Sequence, residues 1–344
     1  MQALVLGDVG RFDVVTLDDP VPGPGEVRIA VTASGICGSE LGGFLGTDGL
    51  RKPGLVFGHE FVGAVDAYGP DVPPDRQLPT GTLVTANPLR SCGTCPICLG
   101  GHGNVCPQRK LLGGHVHGSN ADLVVVPVDA VHRVDHLPDL GSSVFAEPTA
   151  CALRAVGRTR IRAGGSALVL GAGPIGLLLL EVLRAKGVEQ LFFTERVHGR
   201  VAAAEAGGAK RLSDRPEELV RQIKDVTGGL GADAVFDAVG SADTRTAATL
   251  AARPGGDVCF VGLHSADGML PLRDLIRREV ACTTSFAYSP AEFGTAVELL
   301  GRGDLVFRGE IVHADLTAGQ RWYEELIKGH PAGKVVLQPS ARRT

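Results

Sequence analysis

Four cysteines lie within fifteen residues of the chain and offer its clearest chemistry. Cys92, Cys95, Cys98 and Cys106 follow the spacing C-x2-C-x2-C-x7-C. Each two-residue spacer lets the backbone turn and direct the next sulfur inward, so four thiolates can surround one tetrahedral ion. An all-thiolate site has no open coordination position, and the spacing therefore predicts a structural zinc. The alternatives are chance clustering and two disulfides, which suit a small secreted protein better than 344 residues.

A glycine-rich motif supplies a second chemistry, the binding of phosphate. Gly171-Ala172-Gly173-Pro174-Ile175-Gly176 has the order G-x-G-x-x-G and follows an apolar run at 166–170. The first glycine suits a tight turn, the second lets a pyrophosphate approach the backbone, and the third lets a helix pack on a strand. Pro174 fits the first helical turn, where a missing amide hydrogen costs little. The motif predicts dinucleotide binding; the alternative is a simple glycine-rich turn.

The kind of dinucleotide depends on residues that follow the next predicted strand. Glu195 stands 24 positions beyond Gly171. Its carboxylate can accept hydrogen bonds from the adenine ribose diol and would repel a 2′-phosphate, which favours NAD over NADP. Arg196 and Arg200 could instead pair with a 2′-phosphate or lie exposed at a helix start, so NADP stays open.

Three separate segments carry residues that could hold another metal ion. Cys37 lies in G-I-C-G-S-E, His59 in G-H-E and Glu147 in A-E-P. Three protein ligands with a vacant fourth position would make a Lewis-acid site rather than a structural one. Residue type alone does not establish such a site, because a single cysteine is usually a small buried apolar group.

The elements that must position these groups change character near residue 150. Before it, short β-like runs between Gly- and Pro-rich turns predict a compact β-rich domain. After about residue 165, strands alternate with helices, which predicts βαβ units and a parallel sheet. The predicted strands are 26–32, 61–67, 82–85, 121–127, 167–170, 190–194, 234–238 and 257–262, and the helices are 175–186, 200–206 and 216–227. The pattern leaves open which domain includes a helix at 290–300 and a strand at 334–337.

Composition narrows the class of protein. The 344 residues, 44% hydrophobic and 21% charged, suggest two domains with a sizeable core. The amino terminus lacks a secretory pattern, and the longest apolar run, 166–183, is interrupted by glycines and a proline, so we expect a soluble cytoplasmic protein without a membrane partner. A net charge of −4 and the lack of a basic stripe argue against nucleic acid.

Taken together, the motifs resemble the zinc-containing medium-chain dehydrogenase/reductase family, the alcohol and polyol dehydrogenases. They occur in the family's order and approximate separations, and a G-K-V-V-L ending extends the match to nearly the whole chain. The resemblance implies an α/β fold with three parts. These are a GroES-like β-rich catalytic domain at 1–150 with a structural zinc lobe at about 88–110, a Rossmann doubly wound parallel-sheet domain at 151–288, and a C-terminal segment at 289–344 that returns to the catalytic domain. It also implies a homodimer or homotetramer.

The resemblance further implies roles for individual residues. Cys37, His59 and Glu147 would bind the catalytic zinc, and Glu60 could approach the metal or support it. Ser39 falls where the family places the hydroxyl that accepts the substrate proton. The four cysteines would hold the structural zinc, giving two zinc ions per chain.

The sequence departs from the family pattern at several positions. Glu40 stands where Asp is usual, a longer arm that could still orient His59, and Gly42 stands where many relatives have a proton-relaying His. Candidates for the substrate pocket are Phe44, His115 and His117. For these the alternatives are core packing by Phe44 and a loop position for the two histidines.

The implied activity is hydride transfer, with zinc polarising the alcohol oxygen and NAD accepting the hydride. Glu147 stands where simple alcohol dehydrogenases often have Cys, whereas polyol, sugar, aminocyclitol and threonine dehydrogenases often have Glu. We therefore expect the substrate to be a secondary alcohol of a sugar, cyclitol or other polyol, oxidised to a ketone or lactone. The alternatives are an amino-alcohol (threonine-type) dehydrogenase, a simple alcohol or aldehyde dehydrogenase, a zinc-free reductase of the same superfamily, and an NAD-binding regulator without activity.

Overall fold

The structure is a computed structural model in which residues 1–134 and 143–339 are described. Its backbone contacts divide the chain into two compact units. Unit 1 comprises Met1–Glu147, Ser289–Gly303 and Ile311–Thr344, and unit 2 comprises Pro148–Tyr288 and Asp304–Glu310. The predicted catalytic domain and C-terminal segment include residues 135–142 and 340–344, which lie outside the described residues. Across the described ranges, no helix is both long and apolar enough to span a bilayer.

The described residues form strands and helices whose bounds are as follows. The strands are β1 (Gln2–Asp8), β2 (Arg11–Thr16), β3 (Glu26–Gly35), β4 (Glu60–Tyr68), β5 (Leu83–Ala86), β6 (Leu89–Arg90), β7 (Lys110–Leu111), β8 (Leu123–Pro127), β9 (Val131–Arg133), β10 (Ser166–Leu170), β11 (Gln190–Thr194), β12 (Lys210–Arg211), β13 (Ala232–Asp237), β14 (Ala252–Phe260), β15 (Ala281–Thr284), β16 (Ile311–Asp315) and β17 (Lys334–Gln338). The helices are α1 (Gly38–Phe44), α2 (Pro96–Leu99), α3 (Ala146–Gly157), α4 (Pro174–Ala185), α5 (His198–Ala206), α6 (Pro216–Val226), α7 (Ala242–Ala251), α8 (Leu272–Arg278), α9 (Pro290–Gly301) and α10 (Gly319–Ile327).

Unit 1 is organised around strand β3. The sheet runs in the order β16-β17-β3-β4-β5-β9, and β8 also pairs with β3. Buried and half-buried residues alternate along most of β3, as expected for a strand with one face on a core. The C-terminal strand β17 pairs antiparallel with β3 through Val336 opposite Gly35. Residues from the two ends of the chain therefore meet where β3 ends.

Unit 2 is a six-stranded parallel sheet in the order β12-β11-β10-β13-β14-β15. Numbered from its first strand, this is 3-2-1-4-5-6, the doubly wound order. Strand β10 is buried along its whole length, as expected for a central parallel strand. The strand order reverses beside β10, and in such sheets ligands bind at the carboxyl ends of the strands at this point. The glycine-rich motif follows β10 directly.

Candidate active site

The ends of two neighbouring strands bring three candidate metal ligands together. Strands β3 and β4 are antiparallel, and Gly35 at the end of β3 pairs with Glu60 at the start of β4. Cys37 follows β3 and precedes α1, while His59 immediately precedes β4. The ligand atoms of Cys37, His59 and Glu60 lie within 4.8 Å of one another. Thiolate, imidazole and carboxylate are donors that zinc takes in proteins, so the chemistry of the group fits the metal.

Glu147 stands on helix α3, and among the described residues it is not a member of that group. Its side chain is half-buried, and its negative charge acts on Lys334. The structure therefore groups Cys37 and His59 with Glu60, which the resemblance gave as a possible ligand, whereas it gave Glu147 as the third ligand. The ligand role of each of these residues stays a prediction.

The Glu60 carboxylate forms a buried ion pair with Lys334, which the sequence analysis did not single out as a site residue. Lys334 begins β17, and its Nζ also donates to the backbone carbonyl of Ile36 at 3.2 Å. Burial by itself lowers the pKa of Lys334, but the attraction of Glu60, Cys37 and Glu147 outweighs burial and raises that pKa. Lys334 therefore stays charged and compensates negative charge at this end of β3.

His59 has a second buried acidic neighbour, Glu40 of α1. Oε1 of Glu40 lies 2.8 Å from Nδ1 of His59 and accepts a hydrogen bond from the backbone N–H of Gly58 at 3.0 Å. The contact with Nδ1 is a close ion-pair contact rather than a well-aligned hydrogen bond. Burial raises the pKa of Glu40, but the charge and hydrogen bond of His59, together with Arg51 and Tyr323, outweigh burial and lower that pKa. Glu40 is therefore a charged acceptor beside the candidate ligand.

Cys37 is a further neighbour of His59, and Ser39 in turn contacts Cys37. The Ser39 hydroxyl donates to Cys37 Sγ at 3.3 Å from the exposed first turn of α1. Burial lowers the pKa of His59, but the attraction of Cys37 and Glu40 outweighs burial and raises that pKa well above its ordinary value. Cysteine and histidine bind metals in their deprotonated forms, so metal binding here would release protons.

The four clustered cysteines converge on one point. Sγ of Cys92 lies 3.8 Å from that of Cys98 and 3.6 Å from that of Cys106, and Sγ of Cys95 lies 3.9 Å from that of Cys106. A tetrahedral zinc with Zn–S bonds of about 2.3 Å has S–S edges of about 3.8 Å, so the spacing fits a single zinc ion. Backbone N–H groups of Thr94 and Cys95 lower the pKa of Cys92 to about 6, whereas burial and the neighbouring thiols raise the pKa of Cys98 to about 11.

The glycine-rich turn has the backbone that its sequence predicts. Gly171 has a positive φ of 87°, a conformation that side chains rarely adopt. A Cβ at Gly176 would lie 1.9 Å from the carbonyl oxygen of Gly171, so α4 packs against the turn only because Gly176 has none. A Cβ at Gly173 would meet nothing within 4 Å, so this position faces open space. Pro174 and Ile175 begin α4, whose first N–H groups are free to bind a phosphate.

Glu195 is anchored to that turn by its carboxylate. It follows β11, and its Oε2 accepts a hydrogen bond from the backbone N–H of Ala172 at 3.0 Å. Its Oε1 accepts from the backbone N–H groups of Arg196 at 2.7 Å and Val197 at 2.9 Å. A carboxylate fixed beside the phosphate-binding turn suits a ribose diol and opposes a 2′-phosphate.

The arginines near Glu195 differ in their surroundings. The Arg196 Nε lies 2.5 Å from Asp214 Oδ2 in an exposed ion pair. Arg200 lies on α5 and is half-buried. Arg211, which the sequence analysis did not consider, donates to the backbone carbonyl of Glu195 at 2.8 Å. Its position on β12 beside β11 follows from sheet order, which a search for motifs does not reveal.

The three candidate pocket residues, all in unit 1, differ in their surroundings. Phe44 is buried and stacks on Phe12 with ring centroids 5.3 Å apart, so its side chain fills the core. The exposed His115 accepts from the backbone N–H of Leu111 at 2.9 Å, and the exposed His117 accepts from that of Val56 at 3.2 Å. Burial and nearby Arg109, Arg51 and Lys110 lower the pKa of His115. Phe44 is therefore a core residue, and the histidines remain candidates.

Comparison with protein families identifies two matching segments. Residues 23–139 match the family described as alcohol dehydrogenase GroES-like domain, and residues 174–302 match the family described as zinc-binding dehydrogenase. The first contains Cys37, His59 and the four clustered cysteines. The second begins at the helix that follows the glycine-rich turn.

Individual proteins resemble the chain over most of its length. The sorbitol dehydrogenase of Arabidopsis thaliana is 31% identical over 304 residues, which cover 86% of this chain and 82% of that protein. The D-arabitol-phosphate dehydrogenase of Enterococcus avium is 32% identical over 333 residues, covering 94% and 93%. Among solved structures, the alcohol dehydrogenase of Thermus sp. ATN1 superposes with a TM-score of 0.89 at 29% identity, covering 98% of this chain and 100% of that one.

Proposed function

We propose that this chain, which belongs to the zinc-containing medium-chain dehydrogenase family, oxidises a secondary alcohol of a sugar, cyclitol or other polyol with NAD. The observation that carries the proposal is the convergence of a thiol, an imidazole and a carboxylate at the ends of β3 and β4. Support for a polyol comes from two relatives named for sorbitol and D-arabitol phosphate.

When bound, zinc would supply a Lewis acid for the alcohol oxygen, and NAD would accept the hydride. The chain's own residues would prepare these groups. Cys37 and His59 would hold the ion, with Glu147 as the third ligand that the family resemblance implies. Glu60, which lies with Cys37 and His59, would support the site through its ion pair with Lys334. Ser39, whose hydroxyl is 3.3 Å from Cys37 Sγ, would accept the proton of the substrate hydroxyl while passing its own hydrogen to solvent, to which it is exposed.

Unit 2 would bind the dinucleotide at the carboxyl end of β10. Gly173 leaves room for the pyrophosphate, and the free N–H groups at the start of α4 would bind it. Glu195 would accept hydrogen bonds from the adenine ribose diol, which supports NAD rather than NADP. The second zinc would be held by Cys92, Cys95, Cys98 and Cys106 in a structural role.

We further propose that the protein is a homo-oligomer located in the cytoplasm. Among the described residues, the edge strand β15 pairs only with β14, and an unpaired edge of this kind invites pairing with another chain. Four apolar side chains of unit 2, at residues 263–276, are largely exposed: Leu263, Met269, Leu272 and Ile276. All eight cysteines lie in the described residues and are free thiols, which suits a reducing compartment.

The proposal is tested by zinc analysis together with a turnover assay. The purified protein should contain about two zinc ions per chain and reduce NAD with sorbitol, other polyols, inositols or aminocyclitols. Cys37→Ser should retain one zinc and NADH binding but lose at least about 100-fold in kcat/KM, because the ligand set of the catalytic metal is broken. Cys151→Ser is the matched control.

Three outcomes would contradict parts of this proposal. Full activity in Cys37→Ser would remove the catalytic metal from these residues. Turnover confined to simple alcohols or threonine would exclude the polyol assignment. NADH binding without turnover of any alcohol would indicate a regulator rather than an enzyme.

A further inference from the structure

A buried chain of hydrogen bonds ends on Glu40, the acidic neighbour of His59. The Ser34 hydroxyl is 2.7 Å from that of Ser119 and donates to Asn120 Oδ1 at 2.7 Å. Asn120 Nδ2 donates to the Tyr323 hydroxyl at 3.2 Å, and that hydroxyl donates to Glu40 Oε2. All five side chains are fully buried. The chain of bonds therefore joins three distant parts of the sequence to one carboxylate.

The donors in this series of hydrogen bonds all point toward Glu40. Because Ser34 donates to Asn120, its own oxygen is left to accept from Ser119. Each following group likewise passes a hydrogen toward Glu40, which as a carboxylate can only accept. Consecutive bonds with one orientation strengthen one another in a buried site. The carboxylate is thus the common end point of the series.

The two carboxylate oxygens of Glu40 have different partners. Oε1 faces the backbone N–H of Gly58 and Nδ1 of His59, whereas Oε2 receives the Tyr323 hydroxyl. With both oxygens occupied, the carboxylate cannot rotate without losing a partner. A carboxylate oxygen fixed 2.8 Å from Nδ1 favours a hydrogen on that nitrogen, and the lone pair of Nε2 would then be available for a metal ion.

We propose that Tyr323 is a positioning residue for the metal site, which acts on His59 through Glu40. The inference rests on the proposed function, because it takes His59 to be a ligand of the catalytic zinc. Tyr323 comes from α10, 283 residues beyond Glu40, so the C-terminal part of the chain contributes to the metal site without touching the metal. Its ring has a separate packing role against Phe12, with centroids 4.6 Å apart.

Tyr323→Phe tests the proposal because it keeps the ring and removes only the hydroxyl. Protein-bound zinc is measured while the concentration of a chelator is raised stepwise. The metal site at His59 is monitored separately by the absorption bands of Co²⁺ substituted for zinc. We expect the metal affinity of the site at His59 to fall by on the order of 10- to 100-fold, and the Co²⁺ absorption bands of that site to change. Zinc binding by the four cysteines and NADH binding should stay unchanged.

Tyr68→Phe is the matched control. The Tyr68 hydroxyl donates to the carbonyl of Leu78 at 3.0 Å and accepts from its N–H at 2.7 Å, so its loss also removes hydrogen bonds in unit 1. Both variants should unfold more readily without metal, but only Tyr323→Phe should lose metal affinity. Equal metal affinity in Tyr323→Phe and wild type would overturn the inference. A wild-type protein that binds only the four-cysteine zinc would instead overturn the proposed function.

Discussion

Two buried carboxylates flank His59, and each has its own partner. Glu60 pairs with the ammonium group of Lys334, and Glu40 receives the hydroxyl of Tyr323. Removing a charge from water costs several kcal/mol unless partners in the protein replace the water, and Lys334 and Tyr323 provide that replacement for the two carboxylates. The negative charge needed beside a metal cation is therefore maintained by residues outside the ligand set.

At the same scale, Glu195 should decide between NAD and NADP. Glu195→Gln keeps an acceptor oxygen for the backbone N–H groups but removes the charge that opposes a 2′-phosphate. We expect the ratio of kcat/KM for NAD to that for NADP to fall on the order of tenfold, measured with one polyol substrate at saturation. Glu189→Gln, at an exposed position before β11, should leave the ratio unchanged. An unaltered ratio in Glu195→Gln would remove this residue from cofactor selection.

At the scale of elements, the zinc lobe has little apolar core of its own. Its base is the two-residue antiparallel pair β6 and β7, and Ile97, Leu99 and Val105 within it are exposed. A segment of this kind cannot bury enough apolar surface to offset the entropy of ordering its backbone. The lobe should therefore depend on its metal for folding.

Cys95→Ser should accordingly destabilise the protein rather than impair catalysis directly. We expect the zinc content to fall by one ion per chain and the free energy of unfolding to fall by about 3 kcal/mol or more, measured by denaturant titration. Cys282→Ser, at an exposed position of β15, is the control and should retain both zinc ions. A Cys95→Ser protein with two zinc ions and wild-type stability would show that the lobe holds no metal.

Asp233 connects the amino ends of three neighbouring strands in unit 2, namely β10, β13 and β14. Its Oδ2 accepts from Ser166 N at 2.8 Å and from Ser166 Oγ at 2.7 Å, and its Oδ1 accepts from Arg253 Nε at 2.6 Å. Burial raises the pKa of Asp233, but the hydrogen bonds from Arg253 and Ser166 outweigh burial and lower that pKa. The folded state therefore binds the proton less readily than the unfolded state does.

This shift predicts the pH dependence of an Asp233→Asn variant. A lowered pKa stabilises the fold above the ordinary value of about 3.9, and this contribution is lost as the pH falls through the lower folded value. Asp233→Asn should cost about 1 to 2 kcal/mol at pH 7, and the difference from wild type should shrink below about pH 4. Denaturant unfolding from pH 7 to below about pH 4 measures this difference in the free energy of unfolding. Asp225→Asn, at an exposed position, is the control. A difference that grows on acidification would contradict the assignment.

At the scale of the whole molecule, self-association should depend on the exposed apolar residues of unit 2. Ile276 on α8 is 75% exposed, and a charge there would resist burial against a second copy. Ile276→Asp should lower the molar mass measured by light scattering toward that of the single chain of 35.7 kDa. Leu230→Asp, at a loop residue that is 59% exposed, should leave the assembly intact. A wild-type protein that is monomeric would exclude the proposed oligomer.

The predicted family and α/β fold class are confirmed, as is the prediction of an enzyme acting on CH–OH donors. Local patterns were sufficient for several elements: the predicted strand 190–194 coincides with β11, and the predicted helix 175–186 differs by one residue at each end from α4. The sequence analysis missed the hairpin of β1 and β2. Leu4, Leu6 and Phe12 of this hairpin pack in a core of unit 1 that includes residues from the C-terminal part of the chain, which local patterns do not reveal. It also missed β15, which is mostly exposed and lacks a clear apolar pattern.

The sequence by itself determined the groups that depend on neighbours along the chain. The four cysteines and the glycine-rich turn each lie within a single short segment. The residue types and their spacing along that segment are therefore enough to set the local geometry. Only the tertiary structure decided which residues surround His59. Lys334 and Tyr323 come from β17 and α10, near the other end of the chain, and the pairing of β17 with β3 and the packing of α10 on α1 bring them there. No local pattern marks such residues, since a buried lysine and a buried tyrosine acquire their roles only from partners far away in sequence.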